Sequence, residues 1–382
     1  MGALKQAVYG LYRRVQRFAP AATAAYFLHD LAARNEAKRC AYRPGAPVPG
    51  PSERRPIPAR AKETVIAFVC DEMTRRDFEG ECRALFLTPQ NWLETMERCR
   101  PDLFFCESAW SGPESSRDAW RGRVYRNHSV LYENRRALLD ILDYCGRRGI
   151  PTVFWNKEDP TFFGSCTYDF VDTALRFDHI FTTAAECVPR YRALGAKRAH
   201  TLMFGYSPAL FSPEPALPRE NAAVFAGSWY AGQPARCRDM ERIFDMLLAR
   251  GIALRIYDRQ SDSSDPDRRF PEKYRAYVRP KVAYHELGAT FRAARYGVNI
   301  NTVQDSDTMF ARRVFEMMAC GLIVVSNGSR GMRDMFGDRV WFLDEPFDTE
   351  KEARCREENL RAVRAHTCAA RLEEVLHTLR GG

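Results

Sequence analysis

Short apolar runs, each closing in a cluster of polar residues and followed by a helical pattern, recur along most of this chain and limit its fold more than any other feature. "TVIAFVCDE", "LFFCES", "TVFWNKEDP" and "HIFTTA" lie between residues 64 and 184; "AAVFAGSWY", "ALRIYDR", "YGVNINTV", "LIVVSNG" and "RVWFLD" lie between residues 222 and 344. Apolar residues at consecutive rather than alternate positions suit strands covered on both faces, which predicts parallel sheets built from βαβ units. The proline-rich, aperiodic stretch "FGYSPALFSPEPALPREN" separates the two sets and predicts two sheets in two domains, 61–210 and 211–345, followed by C-terminal helices over 346–382. A length of 382 residues with 45% hydrophobic and 12% aromatic composition is enough for two such cores.

The net charge of +9 is not spread over that body. Residues 1–62 hold 12 Lys and Arg against 3 Asp and Glu, which leaves 46 of each sign for the rest. A neutral body is a poor footprint for a protein that binds by neutralising phosphate backbones, so no nucleic-acid partner is expected. The basic excess has a period. Leu4, Ala7, Val8, Leu11, Tyr12, Val15 and Phe18 fall on one helical arc and Lys5, Arg13, Arg14 and Arg17 on the other. Residues 1–20 thus read as a basic amphipathic helix, suited to an anionic membrane surface or to a helix packed on the body with a solvated basic face. "YRPGAPVPGPSERRPIPAR" then reads as an extended linker, which makes 1–60 a helical extension. No signal peptide pattern and no bilayer-length apolar run occur, and the twelve cysteines show no CxxC pair. The expected location is the cytoplasm, with a peripheral place on the inner face of the plasma membrane.

Ligands of parallel sheets bind outside the carboxyl ends of the strands, where each apolar run turns polar. In the first set these positions are Asp71 and Glu72, Glu107 and Ser108, Asn156 to Asp159, and Thr182 and Thr183; in the second they are Gly227 and Ser228, Asp258 and Arg259, and Thr302 with Gln304. Two sheets facing each other across a central cleft would point both sets inward.

The segment "DTMFARRVFEMMACGLIVVSNG" sets two arginines and a glutamate in an otherwise apolar run. Asp307 can cap a helix from about Thr308 to Cys320, which Gly321 would stop. Thr308, Arg312 and Glu316, spaced by four, would then share a face, opposite a core side supplied by Ala311, Phe315, Met318 and Ala319. That face is either a solvated one with an ordinary ion pair or a ligand site, in which guanidinium matches phosphate, carboxylate holds ribose hydroxyls and the helix amides point at a diphosphate.

With these residues on the page the chain resembles a known family. "RRVFEMMACGLIVVS" resembles the donor segment of group-1-like GT-B glycosyltransferases. The ordered set "FWNKEDP", "FTTAAECVPRY", "VFAGSWY", "IYDR" and "NINTVQDSDTMFARRVFEMMACG" is similar to the CgeB-type (spore-maturation-protein-like) branch over about residues 63–345. The resemblance implies a GT-B fold of two Rossmann-like domains, an acceptor met by the N-terminal one, a nucleotide-sugar donor held by the C-terminal one, and a terminal helix that crosses back. It implies Glu316 on the ribose, Arg312 or Arg313 on the diphosphate, and Gly227 with Ser228 along the phosphate path. Thr308 stands where many retaining relatives carry a second glutamate, which leaves the stereochemical outcome open.

Sugar transfer needs a stabilised leaving diphosphate and a deprotonated acceptor hydroxyl. Arg259, Arg312 and Arg313 suit the first task; Glu158, Asp159, Asp71 and Glu107 are the base candidates for the second. "DSD" at 305–307 matches the metal motif of another glycosyltransferase fold but reads here as a helix cap, so neither a metal nor another cofactor is expected. The expected acceptor is a glycan or lipid-linked glycan of bacterial surface polysaccharide biosynthesis. A protein acceptor, a nucleotide-sugar epimerase or hydrolase, and a non-catalytic nucleotide-sugar-binding protein are the alternatives.

Overall fold

The computed structural model describes residues 56–130, 133–346 and 348–381. The amphipathic segment 1–20 and most of the proline-rich linker lie outside the described residues. The chain divides into two compact units, one running to Leu202 and taking up Leu376–Gly382, the other Met203–Val375.

The first unit is a parallel six-stranded sheet of β1 (Val65–Val69), β2 (Arg83–Phe86), β3 (Leu103–Glu107), β4 (Thr152–Asn156), β5 (His179–Thr182) and β6 (Ala199–Thr201), in the order β2-β1-β3-β4-β5-β6. The central strands are buried along their length, as their unbroken apolar runs require. The strand order reverses between β1 and β3, and Asp71 just beyond β1 and Glu107 at the end of β3 lie at that reversal.

The second unit repeats the architecture with β7 (Glu220–Gly227), β8 (Ala253–Asp258), β9 (Val278–Arg279), β10 (Ala294–Asn299), β11 (Ile323–Ser326) and β12 (Val340–Phe342), in the order β12-β11-β10-β7-β8-β9, all parallel. Its side chains sort by the two-residue period of a strand. Ala222, Val224 and Ala226 face a core that includes Val314, Phe315 and Met318, whereas Ala223 and Phe225 face Met240, Ile243, Phe244 and Leu247. Helix Arg313–Ala319 therefore covers one face and helix Pro234–Ala249 the other. Gly297 on β10 lets the first of these approach, because a Cβ there would lie 2.3 Å from the Met317 sulfur. The reversal of strand order falls between β7 and β10.

The two parallel sheets and their helices are as the sequence predicts, and β2, β6 and β9 are added to them. β2 and β9 are half-exposed edge strands and β6 is three residues long, too short for an apolar run to mark. One expectation is corrected. The helix predicted from Thr308 begins at Arg313, and Asp307 does not cap it. The preceding residues instead turn onto their own polar side chains: the Ser306 hydroxyl accepts from the Met309 amide at 2.9 Å, and the Asn301 carbonyl oxygen from the Ala311 amide at 3.2 Å. These bonds give the amides a partner outside a helix. Asp307 pairs with Arg330 at 2.6 Å, so Thr308 lies in a loop and no longer shares a helical face with Arg312 and Glu316. Gly321, at φ +77°, does stop the helix.

Candidate functional site

Around the carboxyl end of β7 the second unit collects more cation than carboxylate, with Arg236, Arg259, Arg312 and Arg313 set against Glu316. Arg313 opens the helix behind β10, and its guanidinium reaches over the Phe225 ring, 5.6 Å from the centroid. Gly227 makes room for it: a Cβ there would stand 2.8 Å from the Arg313 Nη1 and 2.5 Å from the Phe225 ring. Arg313 has no hydrogen-bond or ion-pair partner among the described residues. Burial first, then the neighbouring Arg259 and Arg236, push it down to about 10, which still leaves it charged at neutral pH. Arg259 follows β8; its amide donates to the Gly227 carbonyl at 3.1 Å while its side chain is exposed. Arg236, near the start of helix Pro234–Ala249, is buried, donates to the Ser228 carbonyl at 3.0 Å and lies 5.0 Å from the Tyr230 ring centroid. The buried Ser228 hydroxyl has no hydrogen-bond partner among the described residues. Guanidiniums in excess of carboxylate, beside a buried hydroxyl that no described residue engages, have the donor chemistry of an anion site.

Glu316 lies on the same helix. It is only 3% exposed, so the solvated-face alternative is excluded. Tyr284 donates its hydroxyl to Glu316 Oε1 at 2.8 Å, and Arg312 Nε lies 3.5 Å from the same oxygen. Arg312 in turn stands 5.6 Å from the Tyr284 ring centroid and 5.8 Å from that of Phe204. Burial raises the Glu316 carboxyl, opposed first by Arg312. Both contacts are to Oε1, and no hydrogen bond from a described residue engages Oε2, which leaves it an acceptor. Arg313, Arg259, Gly227, Ser228 and Glu316 thus come together through the β7 end and one short helix, whereas Thr308 does not join them on that helix. Thr302 and Gln304 bond instead to Gln233 and Asp239.

Two residues of this site escaped the sequence. Arg236 reads as an ordinary helical charge, and its one signal was its place just after Pro234, where the chain leaving β7 turns into a helix. Tyr284 precedes no motif and lies more than thirty residues from Glu316 in the chain.

The four base candidates of the first unit are used very differently. Asp71 accepts three amides, from Trp110 at 2.8 Å, Ser111 at 2.9 Å and Gly112 at 2.7 Å, and so shapes the loop after β3. Glu107 is fully buried: it pairs with Lys157 at 2.5 Å, accepts the Asp71 amide at 2.7 Å and takes the Thr74 hydroxyl. Asp159 accepts from Asn156 at 2.9 Å, Thr182 at 2.7 Å and Tyr191 at 2.9 Å. Glu158 is only partly buried and receives one bond, from the Trp110 indole to Oε1 at 2.9 Å. Burial raises its carboxyl above the usual range. Trp110 belongs to a cluster of rings with Tyr125, Phe162, Tyr168 and Phe170 at centroid distances of 5.2–5.7 Å, and Tyr168 is exposed. Glu158 is therefore the one candidate with a carboxylate oxygen that no described residue engages.

Burial lifts Asp159 from 3.8 to about 7. A carboxyl raised on folding binds its proton more tightly in the native chain, so its contribution to stability is complete below pH 4 and is lost as pH rises through 7. Asp159→Asn is expected to flatten the fall in stability between pH 5 and 8, read as urea midpoints; an unchanged slope in the variant would assign that fall elsewhere.

Residues 238–377 match the glycosyl transferase-like family (Glyco_trans_1_2). The segment contains Arg259, Tyr284, Arg312, Arg313 and Glu316, but not Gly227, Ser228 or the first unit's carboxylates. Among solved structures, the chain is similar to Anabaena Alr3699/HepE in complex with UDP and glucose, at 13% identity and a TM-score of 0.49, over 82% of this chain and 91% of that one. It is also similar to a Thermobaculum terrenum O-GlcNAc transferase mutant, at 14% identity and a TM-score of 0.46, over 92% of this chain and 73% of that one. A third is AviGT4, a glycosyltransferase involved in avilamycin A biosynthesis, at 13% identity and a TM-score of 0.43, over 84% and 99%. No curated protein matches the chain in sequence. Among the described residues no helix is long and apolar enough to cross a membrane, and no group of three or more His, Cys, Asp or Glu is placed to hold a metal ion.

Proposed function

We propose that this chain is a glycosyltransferase of the GT-B type and CgeB-like branch, moving a sugar from a nucleoside-diphosphate sugar to an acceptor hydroxyl. The observation that carries this is the pairing, at one strand end, of guanidiniums in excess of carboxylate with a glutamate whose second oxygen takes no hydrogen bond from any described residue. The first suits a diphosphate and the second suits ribose hydroxyls. Arg313 and Arg259 would hold the diphosphate beside the Ser228 hydroxyl and stabilise the charge that grows on it as the glycosidic oxygen departs. Glu316, oriented by Tyr284 and Arg312, would bind the ribose. The match of residues 238–377 to a glycosyl transferase-like family supports the same assignment.

The acceptor would meet the first unit. Its hydroxyl oxygen bonds to the anomeric carbon, the bond from that carbon to the diphosphate breaks, and Glu158 takes the hydroxyl proton. The acceptor class proposed is a bacterial surface polysaccharide or lipid-linked glycan, with residues 1–20 holding the enzyme to the anionic inner face of the membrane.

A panel of nucleoside-diphosphate sugars, followed by nucleotide release with and without a glycan extract, tests the function. Release is expected to need the extract and to persist in EDTA, because arginine rather than a metal carries the charge. Release without any acceptor would make the protein a hydrolase, turnover of the donor into a second nucleotide sugar would make it an epimerase, and binding without turnover would make it a regulator.

A further inference from the structure

A second concentration of arginine lies at the opposite end of the same sheet. A cavity of about 390 Å³ is lined by Arg219, Arg295, Gly321, Ile323 and Arg356. Arg219 precedes β7, Arg295 is the second residue of β10 and Ile323 opens β11, so the cavity is at the amino ends of strands whose carboxyl ends hold Gly227 and Asn299. Asn299 is four positions beyond Arg295 on β10, roughly 13 Å at strand rise. The two arginine groups are separate sites.

The cavity is built as well as charged. Arg219 is fixed by two carbonyls, Ala294 at 2.9 Å and Cys320 at 2.6 Å, neither of which neutralises it. Arg295 and Arg356 share one carboxylate, Glu352, with Arg356 at 2.7 Å. Three guanidiniums against one carboxylate leave a net charge of about two. Arg292 adds to the excess: it repels Arg219, and its buried Nε has no partner among the described residues. Each lining guanidinium keeps N–H groups that no described residue engages. Clustered cations of this kind are costly unless an anion joins them.

We infer that this cavity is a second anion site, for a phosphate-bearing ligand, distinct from the proposed donor pocket and independent of the sugar-transfer reading. A phosphate dianion matches the residual charge, and the planar forks of Arg295 and Arg356 can each grip two of its oxygens. The same group can arrive on a free phosphorylated metabolite or on an anionic lipid headgroup.

The test uses the full chain and inorganic phosphate, read by protection against thermal unfolding, in wild type, Arg313→Ala, Arg356→Gln and Arg295→Gln. Arg356 is on an exposed helix face, so its variant is expected to melt as wild type does without phosphate. Protection should survive Arg313→Ala and need at least about tenfold more phosphate in Arg356→Gln, while nucleoside-diphosphate affinity stays unchanged in that variant. Arg295→Gln should behave the same way. Equal protection of wild type, Arg356→Gln and Arg295→Gln overturns the site. Co-sedimentation with phosphatidylcholine vesicles, with and without phosphatidylglycerol, assigns the source: weaker binding of Arg356→Gln to the anionic vesicles means a headgroup, and unchanged binding alongside lost phosphate protection means a free phosphate. Because the donor pocket is read by nucleoside diphosphate and this cavity by phosphate, either site can fail alone.

Discussion

Glu158→Gln is expected to lower kcat for sugar transfer by about a hundred- to ten-thousandfold and to leave nucleoside-diphosphate affinity unchanged. The amide keeps an oxygen for the Trp110 indole, so the loop and its ring cluster should survive, but it cannot accept the acceptor's proton. The wild-type rate should rise with pH through a carboxyl lifted above the usual range by burial, and that limb should vanish in the variant. Asp71→Asn is the control. It disturbs a carboxylate that three amides use and should reduce stability rather than abolish a pH limb. A Glu158→Gln enzyme with wild-type kcat and pH profile would remove Glu158 as the base.

What the sequence disclosed and what it hid follow from the range of the forces involved. The buried strands were legible because a parallel sheet covered on both faces demands unbroken apolar runs, and "TVFWN" or "LIVVS" fits little else. Strand ends were legible for the same reason, since each run stops where its polar residues begin, and Gly227, Ser228 and Arg259 do stand at the ends of β7 and β8. The helix start was not. Ser306 and Asn301 compete locally for amides that a periodic pattern assigns to the helix, and the pattern does not show which partner wins. The first unit's acids looked alike in the sequence. Only the fold separates Glu107, held by Lys157 and Thr74, from Glu158, held by one indole. Tyr284 was invisible because it reaches Glu316 through a tertiary contact that no local spacing encodes, and Arg236 gave only its place after Pro234, which does not show that its guanidinium turns back to the Ser228 carbonyl.

Arg313→Ala is the second large effect expected. Arg313 makes no ion pair or hydrogen bond among the described residues, and Glu316 keeps Arg312 and Tyr284 when it is lost, so its loss should cost little stability. The diphosphate would lose a charge-assisted contact of roughly 1.5–3 kcal/mol, or about ten- to a hundredfold in affinity. Gly227→Ala should reproduce part of that loss, because the added Cβ must displace either the Arg313 guanidinium or the Phe225 ring.

Calorimetric titration tests the donor site most directly, using the tightest-binding nucleoside diphosphate of a panel and its bare nucleoside, against wild type, Arg313→Ala and Glu316→Gln. The unliganded melting curves should first coincide. Arg313→Ala is predicted to weaken the diphosphate about ten- to a hundredfold and leave the nucleoside alone, whereas Glu316→Gln, which retains its bond from Tyr284 but loses the charged acceptor, should weaken both. Equal affinities across the three proteins, for either ligand, would contradict the assignment of this helix to a nucleotide-sugar donor.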